Sequence, residues 1–171
     1  TRLASREDDD VSSAIADILR AEGIAVDTGV TGLSFRQTAD DIAVTTNSGT
    51  MNASHVLVAT GRRPNTDDLG LEAAGVETDD KGFIVVDNSL STNVSGIWAL
   101  GDCNGRGAFT HTSYNDFEIV AANLLDGGDR KLSDRILAYA LYIDPPLGRV
   151  GMTERQARTS GRQILVSTRP M

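Results

Sequence analysis

The feature that most constrains the fold is a short apolar run, Ile97 to Leu100, which ends in Gly101 and Asp102. Four consecutive apolar residues between polar segments predict a short buried strand, of the kind found in parallel α/β sheets. Ligands of open α/β sheets bind beyond the carboxyl ends of the strands, which is where this Gly-Asp pair would lie. The Asp102 carboxylate can accept hydrogen bonds from ligand hydroxyls, and Gly101 allows a ligand to approach the backbone closely. The alternative interpretation is a turn aspartate that caps a helix.

Three segments carry the periodicity of helices. Apolar residues at helical spacing across 11–19 precede Gly23, a residue type that commonly terminates a helix. A second pattern, from Thr112 to Leu125, predicts a helix whose amino end directs free N–H groups toward the same ligand position. Its apolar stripe consists of Tyr114, Phe117, Val120, Ala121 and Leu124. Thr153 is a favourable cap for a short helix over 154–160.

Alternating polar and apolar residues predict an antiparallel meander of three strands. Its first two strands are expected at 30–35 and 42–46, and its third is expected to end in the apolar run 55–59. Further short strands are expected at 24–26, at 83–86, at 138–143 and from Gln163 onward. Together with the helices, these strands predict an α/β protein.

Composition narrows the classes of function. With 16 basic and 24 acidic residues, the 171-residue chain has a net charge of −8, which argues against a nucleic-acid partner. No apolar run is long enough to span a membrane and no signal peptide opens the chain, so a cytoplasmic protein without a membrane partner is expected. Cys103 is the single cysteine, and His55 and His111 are the two histidines, so neither a disulfide framework nor a metal site is predicted.

A second motif lies earlier in the chain, where an apolar run breaks at the segment ATGRRPN of residues 59–65. In this order, the two motifs resemble those of the pyridine nucleotide-disulfide oxidoreductases, a family that includes dihydrolipoamide dehydrogenase, glutathione reductase and mercuric reductase. Residues 59–65 resemble the crossing from the family's NAD(P) domain into its FAD domain, and 97–102 resemble its second FAD motif, whose aspartate holds the ribityl chain. Residues 142–154 are similar to the opening of its dimerisation domain, and residues 109–117 to its mercuric-reductase-like branch.

The resemblance implies an α/β fold made of incomplete FAD- and NAD(P)-binding Rossmann-like domains, with an antiparallel three-stranded meander and the start of an α+β dimerisation domain. Residues 1–63 would be the C-terminal part of the NAD(P)-binding domain, and residues 64–132 the returning segment of the FAD-binding domain. Residues 133–171 would form the beginning of a truncated dimerisation domain. The resemblance also implies a homodimer whose small-molecule cofactors are FAD and NAD(P)H.

The resemblance also assigns cofactor-binding residues by their positions in the motifs. Gly101 and Asp102 would bind FAD, and the backbone at Thr110 would meet the flavin ring. Gly61 would lie against NAD(P)H, and Val30, on the first strand of the meander, would contact its adenosine half.

Several family signatures are missing from this sequence. It holds no GxGxxG turn and no CxxxxC redox pair, Cys103 does not match that pair, and the family's His-Glu acid/base pair would lie beyond Met171. We therefore predict no catalytic residue in the chain and no activity for this fragment alone. Its parent is expected to pass electrons from NAD(P)H through FAD to a disulfide or a metal ion.

Two alternatives stay open at this point. One is a flavoprotein that reduces another acceptor, such as a ferredoxin or a quinone, and the other is a non-catalytic interaction fragment. A CxxxxC pair preceding Thr1 would favour the disulfide or metal-ion reductase over the reductase of another acceptor.

Overall fold

The computed structural model describes residues 2–169, which form two compact units. One unit combines the segments 2–58 and 136–169, and the other is the continuous segment Ala59–Arg135. The helices are α1 (Asp9–Ala21), α2 (Leu71–Ala74), α3 (Thr110–Leu125) and α4 (Glu154–Thr159), with 3₁₀ turns at Gly101–Asn104 and Leu132–Asp134. The strands are β1 (Ser34–Gln37), β2 (Ile42–Thr46), β3 (Gly49–Ala53), β4 (Ala138–Leu141) and β5 (Leu147–Val150). Between residues 2 and 169, no helix has the length and apolar character needed to cross a membrane.

The first predicted helix and its glycine stop are confirmed in α1. Acidic Asp9 and Asp10 occupy its first turn, which favours the positive end of the helix dipole. Gly23 follows the helix with φ +83°, and its N–H donates to the carbonyl of Arg20 at 2.9 Å. The left-handed conformation of this glycine turns the chain out of the helix.

The antiparallel meander is also confirmed, with strand order β1-β2-β3. Val44 of β2 lies opposite Phe35 on one side and Met51 on the other, and its neighbour Ala43 is buried. The third strand, however, is Gly49–Ala53, and the following run 55–59 forms no strand. Leu57 in that run is 90% exposed.

The prediction of a buried strand over 55–59 is therefore wrong for this chain. A strand satisfies its backbone only by pairing with a neighbour, and the described residues place no strand beside this run. No strand forms at the expected positions 24–26, 83–86 and 97–100 either. Two isolated bridges remain there, one between Thr78 and Ile84 and one between Ser91 and Trp98. The run from Gln163 to residue 169 also forms no strand, and its expected end at Pro170 lies outside the described residues.

The core of the Ala59–Arg135 unit is a cluster of six buried side chains: Val76, Ile84, Val86, Leu90, Ala99 and Ile119. Ile119 belongs to α3, so the second predicted helix is confirmed, and it begins at Thr110. Its buried face differs from the predicted apolar stripe, because Tyr114, Phe117 and Leu124 are exposed. The positions that α3 buries are Thr112, Asp116 and Ile119.

The C-terminal segment of the other unit confirms the predicted strand, as β4, and the predicted helix, as α4, and adds the strand β5, which was not predicted and pairs with β4 in a hairpin. Thr153 caps α4, since its hydroxyl accepts the Gln156 N–H at 3.1 Å while the Gln156 side chain accepts the Thr153 N–H at 2.9 Å. The Asp8 carboxylate accepts the Glu154 N–H at 2.7 Å, so the residue before α1 also supports the amino end of α4.

Candidate functional site

The Gly101–Asn104 turn presents Asp102 directly after the apolar run 97–100. Gly101 has φ +80°, a left-handed conformation that side chains rarely tolerate. A Cβ atom at this position would also lie 3.2 Å from the Ser113 hydroxyl of α3. Both the backbone angle and the close approach of α3 therefore explain why glycine precedes the aspartate.

Asp102 is accessible and already carries one ionic partner. Its Oδ2 lies 2.6 Å from Nη1 of Arg62, and the two side chains are 48% and 74% exposed. Exposed ion pairs contribute between about 0 and 1 kcal/mol, so a ligand hydroxyl can compete with the guanidinium or share the carboxylate with it. The arrangement suits an acceptor of hydrogen bonds from a polyhydroxyl chain.

A buried carboxylate lies beneath this turn. Oδ2 of Asp116 accepts the Gly101 N–H at 2.8 Å and the side-chain amide of Asn104 at 2.8 Å. Arg135 forms an ion pair with the other oxygen of Asp116, whose side chain is only 2% exposed. Asp116, Asn104 and Arg135 were not predicted as functional residues from the sequence. A signal did exist, because Asp116 lies four residues after Thr112 and three before Ile119, on one face of a helix.

The segment between the turn and α3 packs tightly against the amino end of the helix. A Cβ atom on Gly107 would lie 2.8 Å from the Thr112 hydroxyl, which leaves room only for glycine. That hydroxyl accepts the Phe109 N–H at 3.1 Å and donates to the Phe109 carbonyl at 2.7 Å. Thr110, the first residue of α3, is exposed at the end of this segment.

The structure brings four of the five predicted site residues into one unit. Gly101, Asp102 and Thr110 belong to the turn and to the start of α3, and Gly61 directly precedes Arg62, which reaches Asp102. Val30 belongs to the other unit. The prediction that Val30 lies on the first strand of the meander is wrong, because β1 begins only at Ser34. No group of three His, Cys, Asp or Glu side chains that could hold a metal ion occurs within 2–169.

Cys103 lies next to Asp102, in surroundings that disfavour its ionised form. Burial raises the pKa of the Cys103 thiol, and the neighbouring carboxylates of Asp116 and Asp102 raise it further. Its Sγ also donates to the Leu100 carbonyl at 3.2 Å. Because the thiolate is the nucleophile, a raised pKa lowers the fraction of Cys103 in its reactive form near neutral pH.

Alkylation of Cys103 is expected to be slow in the folded chain. An ordinary cysteine with a pKa of about 8.5 reaches half of its maximal rate near that pH, whereas the rate for Cys103 should still be rising steeply there. The measurement is iodoacetamide modification followed by mass spectrometry across pH 7–10, with the urea-unfolded chain as the control. A folded-state rate that levels off below pH 8.5 would contradict the burial argument.

Comparison with known proteins identifies the family. The pyridine nucleotide-disulphide oxidoreductase family matches residues 1–116. The chain belongs to this family. The probable pyridine nucleotide-disulfide oxidoreductase RclA of Escherichia coli is 39% identical over 97% of this chain, and the match covers 38% of RclA. Mercuric reductase of Streptomyces lividans is 38% identical over 94% of the chain and 35% of that protein.

Solved structures agree with the sequence comparison. The Cu(II) complex of a cysteine-to-serine variant of the HOCl-induced flavoprotein disulfide reductase RclA from E. coli superposes with a TM-score of 0.86 at 37% identity, covering 93% of this chain and 36% of that one. The predicted family and the partial Rossmann-like α/β fold are therefore confirmed. The chain spans less than two fifths of the length of these relatives.

Proposed function

We propose that the chain forms one portion of a FAD-dependent oxidoreductase that passes electrons from NAD(P)H through FAD to a disulfide or a metal ion. Members of its family use FAD and NAD(P)H. The observation that carries the proposal is the accessible Asp102 carboxylate, held on a glycine-initiated turn at the amino end of α3. The residues suit FAD, because Asp102 supplies an acceptor for ribityl hydroxyls and Gly101 presents no side chain in their way.

Within this proposal, each predicted residue has a separate role. Gly101 and Asp102 bind FAD, and the exposed backbone at Thr110 approaches the flavin ring. Gly61 lies against NAD(P)H, a role supported by its glycine-only φ of +131° and its open surroundings. Val30 contacts the adenosine half of NAD(P)H, and its partial exposure supports this contact. When bound, FAD supplies the two-electron chemistry that these side chains do not provide.

The proposal extends to domain organisation and assembly. Residues 1–63 belong to the NAD(P)-binding domain, 64–132 to the FAD-binding domain and 133–171 to the dimerisation domain of a cytoplasmic homodimer. The exposed apolar side chains of Tyr142 and Val150 support a protein interface around the β4–β5 hairpin. The net charge of −8 supports small-molecule cofactors over nucleic acid as the partners.

The test is made on the full-length protein that contains this chain. We expect it to purify with the visible absorption of bound oxidised flavin, and we expect reduction by NAD(P)H to expose two additional titratable thiols for each chain. Reduction of the flavin without new thiols would favour a reductase of another acceptor. A protein that lacks flavin and binds none when FAD is added would overturn the proposal.

The 171-residue chain by itself is expected neither to oxidise NAD(P)H nor to retain stoichiometric FAD. A dinucleotide is held largely by its pyrophosphate at a glycine-rich turn and a helix amino end, and the sequence contains no such GxGxxG turn. Two hydrogen bonds contribute a few kcal/mol at most, against an association cost of roughly 4–15 kcal/mol. A FAD titration followed by flavin fluorescence, with an NADH-dependent dye-reduction assay, checks both expectations. Tight one-to-one binding with turnover would contradict them.

A further inference from the structure

The turn that carries Asp102 is held from below by one carboxylate. Asp116 accepts hydrogen bonds from the backbone N–H of Gly101 and from the side chain of Asn104, both at 2.8 Å, so it contacts the first and the last residue of the turn. The Asn104 amide also donates to the Ala99 carbonyl at 3.0 Å. Asp102 therefore lies between two residues, Gly101 and Asn104, that both bond to the buried carboxylate of Asp116.

Other backbone hydrogen bonds also hold this region, since the Ile84 N–H donates to the Cys103 carbonyl at 2.8 Å and the Ala99 N–H to the Leu90 carbonyl at 3.2 Å, but neither engages Gly101. The preceding run 97–100 forms no strand and keeps only an isolated bridge between Trp98 and Ser91. Both Gly101 and Gly105 adopt positive φ angles, at +80° and +69°, and glycine is the residue type with the most backbone freedom. Asp116 is the buried side chain that bonds to both ends of this flexible turn.

Arg135 makes the buried anion tolerable. Its guanidinium pairs with the second oxygen of Asp116, and its Nε donates to the side chain of Asn115 at 2.8 Å. An unpaired buried carboxylate would be strongly destabilising, whereas a paired one keeps a charged acceptor that forms stronger hydrogen bonds than a neutral one.

We propose that Asp116, with Arg135 as its counter-ion, is a positioning residue that holds Asp102 in place to bind the ribityl chain of FAD. This inference rests on the proposed function. Asp116 cannot touch a ligand itself, because its side chain is only 2% exposed. Its effect on flavin binding therefore passes through the turn and through Asp102.

The test is a double-mutant cycle on the FAD dissociation constant of the full-length protein. Asp116→Ala is expected to weaken FAD binding about tenfold or more, and to have almost no effect when Asp102→Ala is already present, because residues that act through one another are not additive. Asp116→Asn retains one oxygen acceptor and is expected to restore part of the affinity. Asp126→Ala, at the exposed end of α3, is the matched control and is expected to bind FAD like the wild type.

The outcomes separate this inference from the proposed function. Equal losses from Asp116→Ala in both backgrounds would mean a merely structural role and would overturn the inference. Loss of FAD in Asp102→Ala with full retention in both Asp116 variants would also overturn it, while leaving the proposed function intact. Wild-type affinity in Asp102→Ala would overturn the role of Asp102 and, with it, the positioning role. A flavin-independent check is hydrogen exchange at the Gly101 amide, which should accelerate in Asp116→Ala and stay unchanged in Asp102→Ala.

Discussion

Asp102→Ala in the full-length protein is expected to release most of the bound flavin, whereas Cys103→Ala is expected to leave it in place. The Asp102 carboxylate is half exposed and offers charge-assisted hydrogen bonds to ligand hydroxyls. Each such bond contributes about 1.5–3 kcal/mol, which corresponds to a dissociation constant weakened about 10- to 150-fold. The thiol of Cys103 donates to the Leu100 carbonyl instead, so removing the thiol removes no hydrogen bond to the ligand.

The measurement is flavin content per chain after desalting, together with the FAD dissociation constant of each variant. Asp67→Ala is a matched control, because Asp67 is another exposed carboxylate that pairs with an arginine, Arg63 at 3.3 Å. It should retain flavin like the wild type. Equal retention in Asp102→Ala and Cys103→Ala would show that the role assigned to Asp102 by resemblance is wrong.

Arg149→Ala is expected to destabilise the unit formed by 2–58 and 136–169 by about 3–5 kcal/mol, the cost of breaking a buried ion pair. Arg149 lies 3.0 Å from the Glu7 carboxylate, and the two side chains are only 9% and 5% exposed. Its guanidinium also donates to Gln156 of α4 at 3.0 Å and lies over the ring of Tyr139. Removing Arg149 leaves Glu7 buried without its cation, which is the source of the large effect.

The measurement is urea unfolding monitored by hydrogen exchange of the α1 amides, which reports the free energy of unfolding of the unit formed by 2–58 and 136–169. Arg158→Ala is the control, because its pair with Glu154 is exposed and should contribute no more than about 1 kcal/mol. The double variant Glu7→Leu with Arg149→Met should recover much of the loss, since apolar replacements of a whole buried pair are often tolerated. Equal destabilisation by Arg149→Ala and Arg158→Ala would contradict the account.

Helices and hairpins were predictable because their hydrogen bonds are local. The pattern across 11–19 with Gly23, the Thr153 cap and the three-stranded meander all appear in the structure. The apolar runs 55–59 and 97–100 were predicted as buried strands and form none. A strand in a parallel sheet needs partners that are distant in sequence, and the described residues supply none.

The residues of the candidate site also differ in how far the sequence predicts them. Gly101 and Asp102 could be proposed as FAD-binding residues from a local motif that resembles a known family. The spacing of Asp116 with Thr112 and Ile119 indicates a shared helix face, but it does not reveal what that face contacts. The bonds from Asp116 to the turn and to Arg135 join residues that are distant in sequence and that meet only when α3 packs against the turn. The buried face of α3 was predicted wrongly from its apolar stripe for the same reason. Which face of the helix is buried depends on its packing against the turn, and the buried positions are Thr112, Asp116 and Ile119.

The most direct test of the central claim is an anaerobic titration of the full-length protein with NADH or NADPH, followed by the visible absorption of its flavin. We expect bound oxidised flavin whose absorption is bleached stoichiometrically by one of the two nucleotides, and we expect Asp102→Ala to lose most of its flavin during the same purification. A wild-type protein without flavin, or a bound flavin that neither nucleotide reduces, would contradict the claim that this chain belongs to an NAD(P)H-dependent flavoenzyme.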